Sequence, residues 1–120
     1  MPARILIVED NALVALDLSA ALEKAGFEVA GPAATVAQAM AVIGGAGCDA
    51  AVLDINLRGE TSEAAASELK RRGIPFMTLT GYARAQQPSL FDDVPAFTKP
   101  VPMRLLIEEL HRCLDAAARK

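Results

Sequence analysis

Five polar residues that could perform chemistry stand directly after short apolar runs of the chain. Glu9 and Asp10 follow the first run, Asp54 the third, Thr80 the fourth and Lys99 the fifth. If these runs are parallel strands, their carboxyl ends meet along one edge of a sheet, which is where open α/β sheets bind ligands. The sequence therefore predicts that these residues lie close together in space. Thr80 and Lys99 are expected at solvent-facing strand ends.

Three carboxylates at one edge need a counter-charge. Two carboxylates about 5 Å apart repel by roughly 3 kcal/mol at an effective dielectric constant near 20. A group of three takes up protons unless cations neutralise it. A hard divalent ion suits such oxygen ligands, and Mg²⁺ uses only one or two carboxylates because it keeps several waters. The residues therefore predict a Mg²⁺ site, with Lys99 as a further fixed positive charge.

Acidic groups, a metal and a lysine around one aspartate suit phosphoryl transfer, in which positioning and charge neutralisation do most of the work. Asp54 is the predicted nucleophile, since carboxylates form aspartyl-phosphates. Taken alone, Asp54 could cap a turn, and Glu9 with Asp10 could stabilise a helix N-terminus. Lys99 and Thr80 could be ordinary strand-end residues. Their coincidence at one predicted edge favours the chemical interpretation.

The elements that position these residues alternate along the chain. Glycine-rich breaks separate short apolar runs from longer segments with helical periodicity. Strands are predicted over residues 5–8, 27–30, 50–53, 76–79 and 96–98. This alternation is typical of a flavodoxin-like, doubly wound α/β fold, with a five-stranded parallel sheet and helices on both faces. A fourth helix between Gly81 and Pro95 is expected to be short or irregular, because prolines interrupt it.

Length and composition limit the possible functions. With 120 residues, 52% of them hydrophobic, the chain is expected to form one domain over residues 1–120, without an output domain. A net charge of −3 argues against nucleic acid as a partner. No apolar stretch is long enough to cross a membrane and no signal peptide is evident, so a cytoplasmic location without membrane contact is expected.

Four segments resemble the motifs of the receiver domains of two-component response regulators. They occur in the family's order and span the whole chain. The resemblance implies that Asp54 accepts a phosphoryl group from a sensor histidine kinase or phosphotransfer protein. The phosphorylated form would then act on a downstream protein, or the chain would serve as a phosphate sink. The segments are Ile5-Leu6-Ile7-Val8-Glu9-Asp10-Asn11, Leu53-Asp54-Ile55-Asn56-Leu57, Leu79-Thr80-Gly81 and Thr98-Lys99-Pro100.

The same resemblance implies a role for each site residue. Asp10 would bind Mg²⁺ directly, Glu9 through water, and Asn56 through its backbone carbonyl, beside the acceptor Asp54. Thr80 and Lys99 would bind phosphoryl oxygens. Such a receiver takes part in its own phosphorylation and dephosphorylation and is not a conventional enzyme.

The sequence departs from the family at three positions. Arg58 stands where a proline is usual, and Val101 where a phenylalanine usually follows the Lys-Pro pair. Ala96 occupies the place of the aromatic residue that normally moves on phosphorylation, three residues before the lysine. Residues 78–82 partly resemble the Phe-Ala-Thr-Gly-Tyr-like motif of single-domain regulators that partner HWE or HisKA2 kinases.

Because Ala96 has no side chain that could swing, we expect a different switch. The predicted device is an order–disorder change of residues 81–95, gated by Thr80 and steered by Tyr82. Strand alternation predicts that Phe97 points to the face opposite Ala96.

Two other functions are compatible with a fold of this class. An FMN-binding protein of this fold would need a hydroxyl- and glycine-rich phosphate loop after the first strand. The chain has Glu9 and Asp10 there, which repel phosphate, so FMN is rejected. A degenerate receiver that serves only as a protein-interaction module stays open as the alternative.

Overall fold

The computed structural model describes residues 2–81, 91 and 93–118. Strands and helices alternate through most of this part of the chain, and one short hairpin interrupts the pattern. In chain order the elements are β1 (Arg4–Val8), α1 (Ala12–Lys24), β2 (Glu28–Ala33), α2 (Val36–Gly44), β3 (Ala50–Asp54), β4 (Asn56–Leu57), β5 (Glu60–Thr61), α3 (Glu63–Arg71), β6 (Phe76–Thr80), β7 (Ala96–Thr98) and α4 (Met103–Ala118).

Five of the strands form a parallel sheet in the order β2-β1-β3-β6-β7. The chain first winds from β1 to one side and then, from β3, to the other. The strand order therefore reverses between β1 and β3, and a crevice opens there at the carboxyl ends of the strands. The predicted flavodoxin-like fold is confirmed.

The sheet separates two apolar cores. Alternate side chains of β1 point to opposite faces: Ile5 and Ile7 pack with α1 and α4, and Leu6 and Val8 pack on the side of α2 and α3. All residues of β3 and β6 are buried. Continuous apolar runs in the sequence reflect this burial on both faces, and it holds the central strands, and hence the residues at their ends, in fixed positions.

The second strand is longer than the sequence predicts. A break was expected at Gly31 and Pro32, but β2 continues through both to Ala33. This strand lies at the edge of the sheet, where a proline without an N–H group is tolerated. Gly31 adopts a φ of +93°, and the pairing register with β1 shifts nearby, as at a β-bulge. The prediction of a strand end at residue 30 is therefore wrong.

A two-stranded antiparallel hairpin, β4–β5, follows Asp54 in a part of the chain where the sequence predicts no strand. Asn56 pairs with Thr61 and Leu57 with Glu60. Strands of two residues are too short to show any hydrophobic period, so no sequence pattern could indicate them.

The predicted fourth helix lies mostly outside the described residues, as do Tyr82 and most of the segment proposed as a switch. The described part includes Phe91, which is fully buried on the side of α2 and α3. Phe97 packs on the opposite side, with the core of α1 and α4, and Ala96 is half-exposed. In the described part of the chain, no helix is long and apolar enough to cross a membrane.

Two leucines of α1 provide a test of this packing. Leu18 is fully buried, whereas Leu16 is 63% exposed. We expect Leu18→Ala to lower the free energy of unfolding by about 2–5 kcal/mol, because it leaves a cavity in the core. The control Leu16→Ala should change it by less than about 0.5 kcal/mol. Urea denaturation followed by circular dichroism measures both, and equal effects would contradict the assigned orientation of α1.

Candidate functional site

The structure brings the predicted acidic residues together. Glu9 and Asp10 directly follow β1, and Asp54 is the last residue of β3. One carboxylate oxygen from each of the three lies within 4.8 Å of those of the other two. Since β1 and β3 are neighbours in a parallel sheet, their carboxyl ends place these side chains at the same point. We refer to these three residues as the acidic cluster.

Lys99 enters the acidic cluster from the end of β7. Its Nζ donates a hydrogen bond to Asp54 Oδ2 at 2.8 Å and lies 3.0 Å from Glu9 Oε1. The second contact is an ion pair whose angles fall short of those of a hydrogen bond. The Glu9 side chain is fully buried and that of Asp54 is 8% exposed. One ammonium group therefore balances two buried carboxylates.

Burial and neighbouring charges shift the pKa values of Glu9 and Lys99. Burial raises the pKa of Glu9, and it outweighs the N–H of Asn11 and the ammonium of Lys99, which lower it. Burial also works to lower the pKa of Lys99, but its hydrogen bond to Asp54 and its ion pair with Glu9 outweigh that effect and leave this pKa above its usual value. Lys99 is therefore charged at neutral pH, and Glu9 has an increased affinity for a proton or another cation.

Backbone N–H groups orient each carboxylate. Asn11 N donates to Glu9 Oε2 at 3.0 Å and Asn56 N donates to Asp54 Oδ1 at 3.1 Å. Asp10 accepts a bond from the hairpin, as described below. Asn11 also caps α1, because its side chain accepts bonds from the N–H groups of two first-turn residues. The carboxylates are thus held in position by the same turns that begin α1 and β4.

Thr80 and Asn56 border the acidic cluster in different ways. Thr80 ends β6 and is 4% exposed, so the expectation that it faces solvent is wrong. Its carbonyl accepts a bond from Lys99 N at 3.0 Å, where β7 pairs alongside β6. Asn56 is half-buried and begins β4, two residues after Asp54. Its N–H contact with Asp54 places its main chain beside the cluster.

The residues present fit a magnesium ion. The acidic cluster supplies only oxygen ligands, which Mg²⁺ prefers. Its three carboxylates outnumber the two cationic groups beside them, the ammonium of Lys99 and the exposed guanidinium of Arg58, and two of the carboxylates are almost completely buried. A divalent cation would relieve this excess of negative charge.

Sequence reasoning did not foresee one contact of the site. Arg58, at the tip of the hairpin, donates its backbone N–H to Asp10 Oδ2 at 3.0 Å. The sequence shows that arginine is an unusual residue type at this position. The contact itself depends on the hairpin, which no pattern in the sequence predicts.

Comparison with known proteins agrees with this geometry. Residues 5–111 match the response regulator receiver domain. The transcriptional regulatory protein PdtaR of Mycobacterium tuberculosis is 31% identical over 85 residues, which are 70% of this chain and 42% of PdtaR. The chain therefore matches less than half the length of that curated relative.

Solved structures of response regulators are also similar to this chain. A CheY-like response regulator receiver domain protein from Methanospirillum hungatei has a TM-score of 0.86 and 30% identity, over 99% of this chain and 98% of that one. SdrG from Sphingomonas melonis has a TM-score of 0.82 and 40% identity, over 94% and 97%. The chain belongs to the response regulator receiver domain family, and so to the modules of two-component phosphorelay signalling.

The ion pairs of Lys99 with two buried carboxylates lead to a prediction about stability, which the expected position at a solvent-facing strand end does not suggest. We expect Lys99→Met to lower the free energy of unfolding of the metal-free protein at pH 7 by about 1–3 kcal/mol, because two buried carboxylates lose their cation. The loss should shrink at about pH 4, which lies below the raised pKa of Glu9, since a protonated Glu9 needs no counter-charge. Urea denaturation at both pH values measures the effect.

The matched control is Lys99→Arg, which keeps the charge and should retain most of the stability at pH 7. An unchanged free energy of unfolding in Lys99→Met would show that the ammonium group does not balance these carboxylates.

Proposed function

We propose that the chain accepts a phosphoryl group on Asp54 from a sensor histidine kinase or a phosphotransfer protein. The observation that carries this proposal is the contact of Lys99 Nζ with Asp54 inside a cluster of buried carboxylates. Phosphoryl transfer needs positioned positive charge around the nucleophile, and this arrangement supplies it.

Asp54 is the nucleophile of the proposed reaction. Its two oxygens are held by Asn56 N–H and by Lys99 Nζ, so the carboxylate is oriented before the donor arrives. One of these oxygens attacks the phosphorus atom. The bond from phosphorus to the donor's histidine nitrogen breaks, and its electron pair stays on the imidazole. The product is an aspartyl-phosphate.

Lys99 and Thr80 stabilise that product in the proposed mechanism. The ammonium of Lys99 is already in contact with Asp54 and can move to a phosphoryl oxygen, while the hydroxyl of Thr80 donates a second bond. Glu9, Asp10, Asp54 and the carbonyl of Asn56 would hold Mg²⁺. When bound, this ion neutralises phosphoryl charge. Hydrolysis of the aspartyl-phosphate at the same site would reset the protein.

We further propose that the output is a protein contact, made by a receiver that spans residues 1–120 and works in the cytoplasm. The net charge of −3 does not favour nucleic acid. The role would be that of a messenger to a downstream protein or of a phosphate sink. SdrG has been solved in a BeF₃-activated conformation, with a TM-score of 0.78 and 39% identity to this chain, so BeF₃⁻ is a suitable probe of the phosphorylated state.

The first test is phosphorylation itself. With Mg²⁺ and acetyl phosphate, or with a phosphorylated histidine kinase, we expect intact-mass spectrometry to show one added phosphate on the wild type. Asp54→Asn should show none, because it removes the nucleophile but keeps the side-chain size. Chelation of Mg²⁺ should abolish the modification.

Phosphate on Asp54→Asn, or equal labelling in chelator, would overturn the assignment. No labelling of folded wild type by either donor would favour the alternative, an interaction module that is not phosphorylated.

Thr80 provides a second test, which separates the response from the chemistry. We expect Thr80→Ala to be phosphorylated at Asp54 but to show smaller BeF₃⁻-induced shifts in ¹H–¹⁵N spectra, because the hydroxyl that senses phosphate is lost. Thr80→Ser, which keeps the hydroxyl, is the control. If Thr80→Ala shows the full wild-type response, the hydroxyl has no part in it.

A further inference from the structure

Arg58 contacts the acidic cluster in two different ways. Its backbone N–H donates to Asp10 Oδ2 at 3.0 Å, and its side-chain Nε lies 3.6 Å from the same oxygen. The Asp10 side chain is 19% exposed, whereas that of Arg58 is 90% exposed. One contact is thus a main-chain hydrogen bond, and the other is an ion pair open to solvent.

The main-chain contact is firmly held by the hairpin. Leu57 pairs with Glu60 on either side of the turn. Glu60 Oε1 also accepts a bond from Val36 N at 3.0 Å, which ties the hairpin to the first turn of α2. Ser62 N donates to Ile55 O at 2.9 Å and closes the base. The N–H of Arg58 therefore has a fixed direction, and it holds the Asp10 carboxylate in one orientation before a cation binds.

The guanidinium contact acts in the opposite sense. A positive charge 3.6 Å from Asp10 Oδ2 reduces the attraction of this carboxylate for another cation. Because the Arg58 side chain is exposed, the effect is small and sensitive to salt. The two contacts thus have opposite effects on cation binding and different responses to ionic strength.

We propose that Arg58 sets the Mg²⁺ affinity of the acidic cluster: its N–H positions Asp10 and strengthens binding, and its guanidinium competes with the ion and weakens it. Arg58 is a positioning residue in this scheme, and the inference rests on the proposed Mg²⁺ site. It gives the chain a control on metal occupancy, and hence on phosphorylation, that lies outside the metal ligands.

Two substitutions separate the contacts. Arg58→Ala removes the guanidinium and keeps the N–H, whereas Arg58→Pro removes both. Gly59 has a φ of +73°, and no non-glycine residue of the described chain has a positive φ. These signs of φ fit a type II turn, in which proline is common at the position of Arg58. Urea denaturation of both metal-free variants checks that they remain folded.

The experiment is a calorimetric titration with Mg²⁺ at low and high salt. At low salt we expect Arg58→Ala to bind Mg²⁺ about two- to fivefold more tightly than wild type, and this gain should disappear near 0.5 M KCl because salt screens the charge. Arg58→Pro should bind about three- to tenfold more weakly than Arg58→Ala at both salt concentrations, since a hydrogen bond is not screened. The control Arg71→Ala removes an exposed arginine that pairs with Glu68 on α3, and it should not change the affinity.

Each outcome bears on one proposal or both. Normal wild-type binding with unchanged affinity in both variants, or weaker binding by Arg58→Ala, overturns the inference about Arg58 and leaves the metal site in place. If the wild type does not bind Mg²⁺ at all, the proposed metal site and this inference fall together. The NMR signal of the Arg58 amide gives a second readout. It should shift when the wild-type protein is titrated with Mg²⁺ and should not shift when the Asp10→Ala variant is titrated.

Discussion

The contact of Lys99 with Glu9 and Asp54 is the interaction on which the rest of the site depends. Glu9 is completely buried and Asp54 nearly so, and burial of a carboxylate is costly without a cation beside it. Lys99 provides that cation from a third strand, β7, which pairs only with β6. Pairing of β7 with β6 thus places a cation beside Asp54, the proposed phosphoacceptor. The same ammonium group is in place for the proposed phosphoryl transfer, so one residue would serve both stability and function.

The parallel sheet makes this arrangement possible. Side chains at the ends of β1, β3, β6 and β7 reach one edge because all four strands run in the same direction. Burial of the central strands on both faces fixes the main chain to which these side chains belong. The carboxylates can therefore be set at distances that would be unfavourable in a flexible loop. This combination of topology and strand-end residues agrees with the match to the receiver family.

Much of this architecture can be predicted from the sequence, for physical reasons. Strands buried on both faces appear as continuous apolar runs, and the strand-end rule then places Glu9, Asp10 and Asp54 together. Other features depend on tertiary contacts. Thr80 is buried at a strand end that pairs with β7, and the hairpin of residues 56–61 is too short to leave a pattern. In the sequence, Pro32 predicts the end of a strand, because it is not known there that this strand lies at an edge of the sheet.

That edge position has a consequence for self-association. An exposed strand edge is a template on which another chain can add a strand, and proteins blunt such edges with prolines, bulges or short strands. Here β2 carries Pro32 and a shift of register, and the opposite edge strand, β7, is only three residues long. Neither edge offers a long, regular row of free N–H and C=O groups. The irregular strand β2, whose full length the sequence pattern does not predict, thus helps to prevent this aliphatic-rich sheet from aggregating.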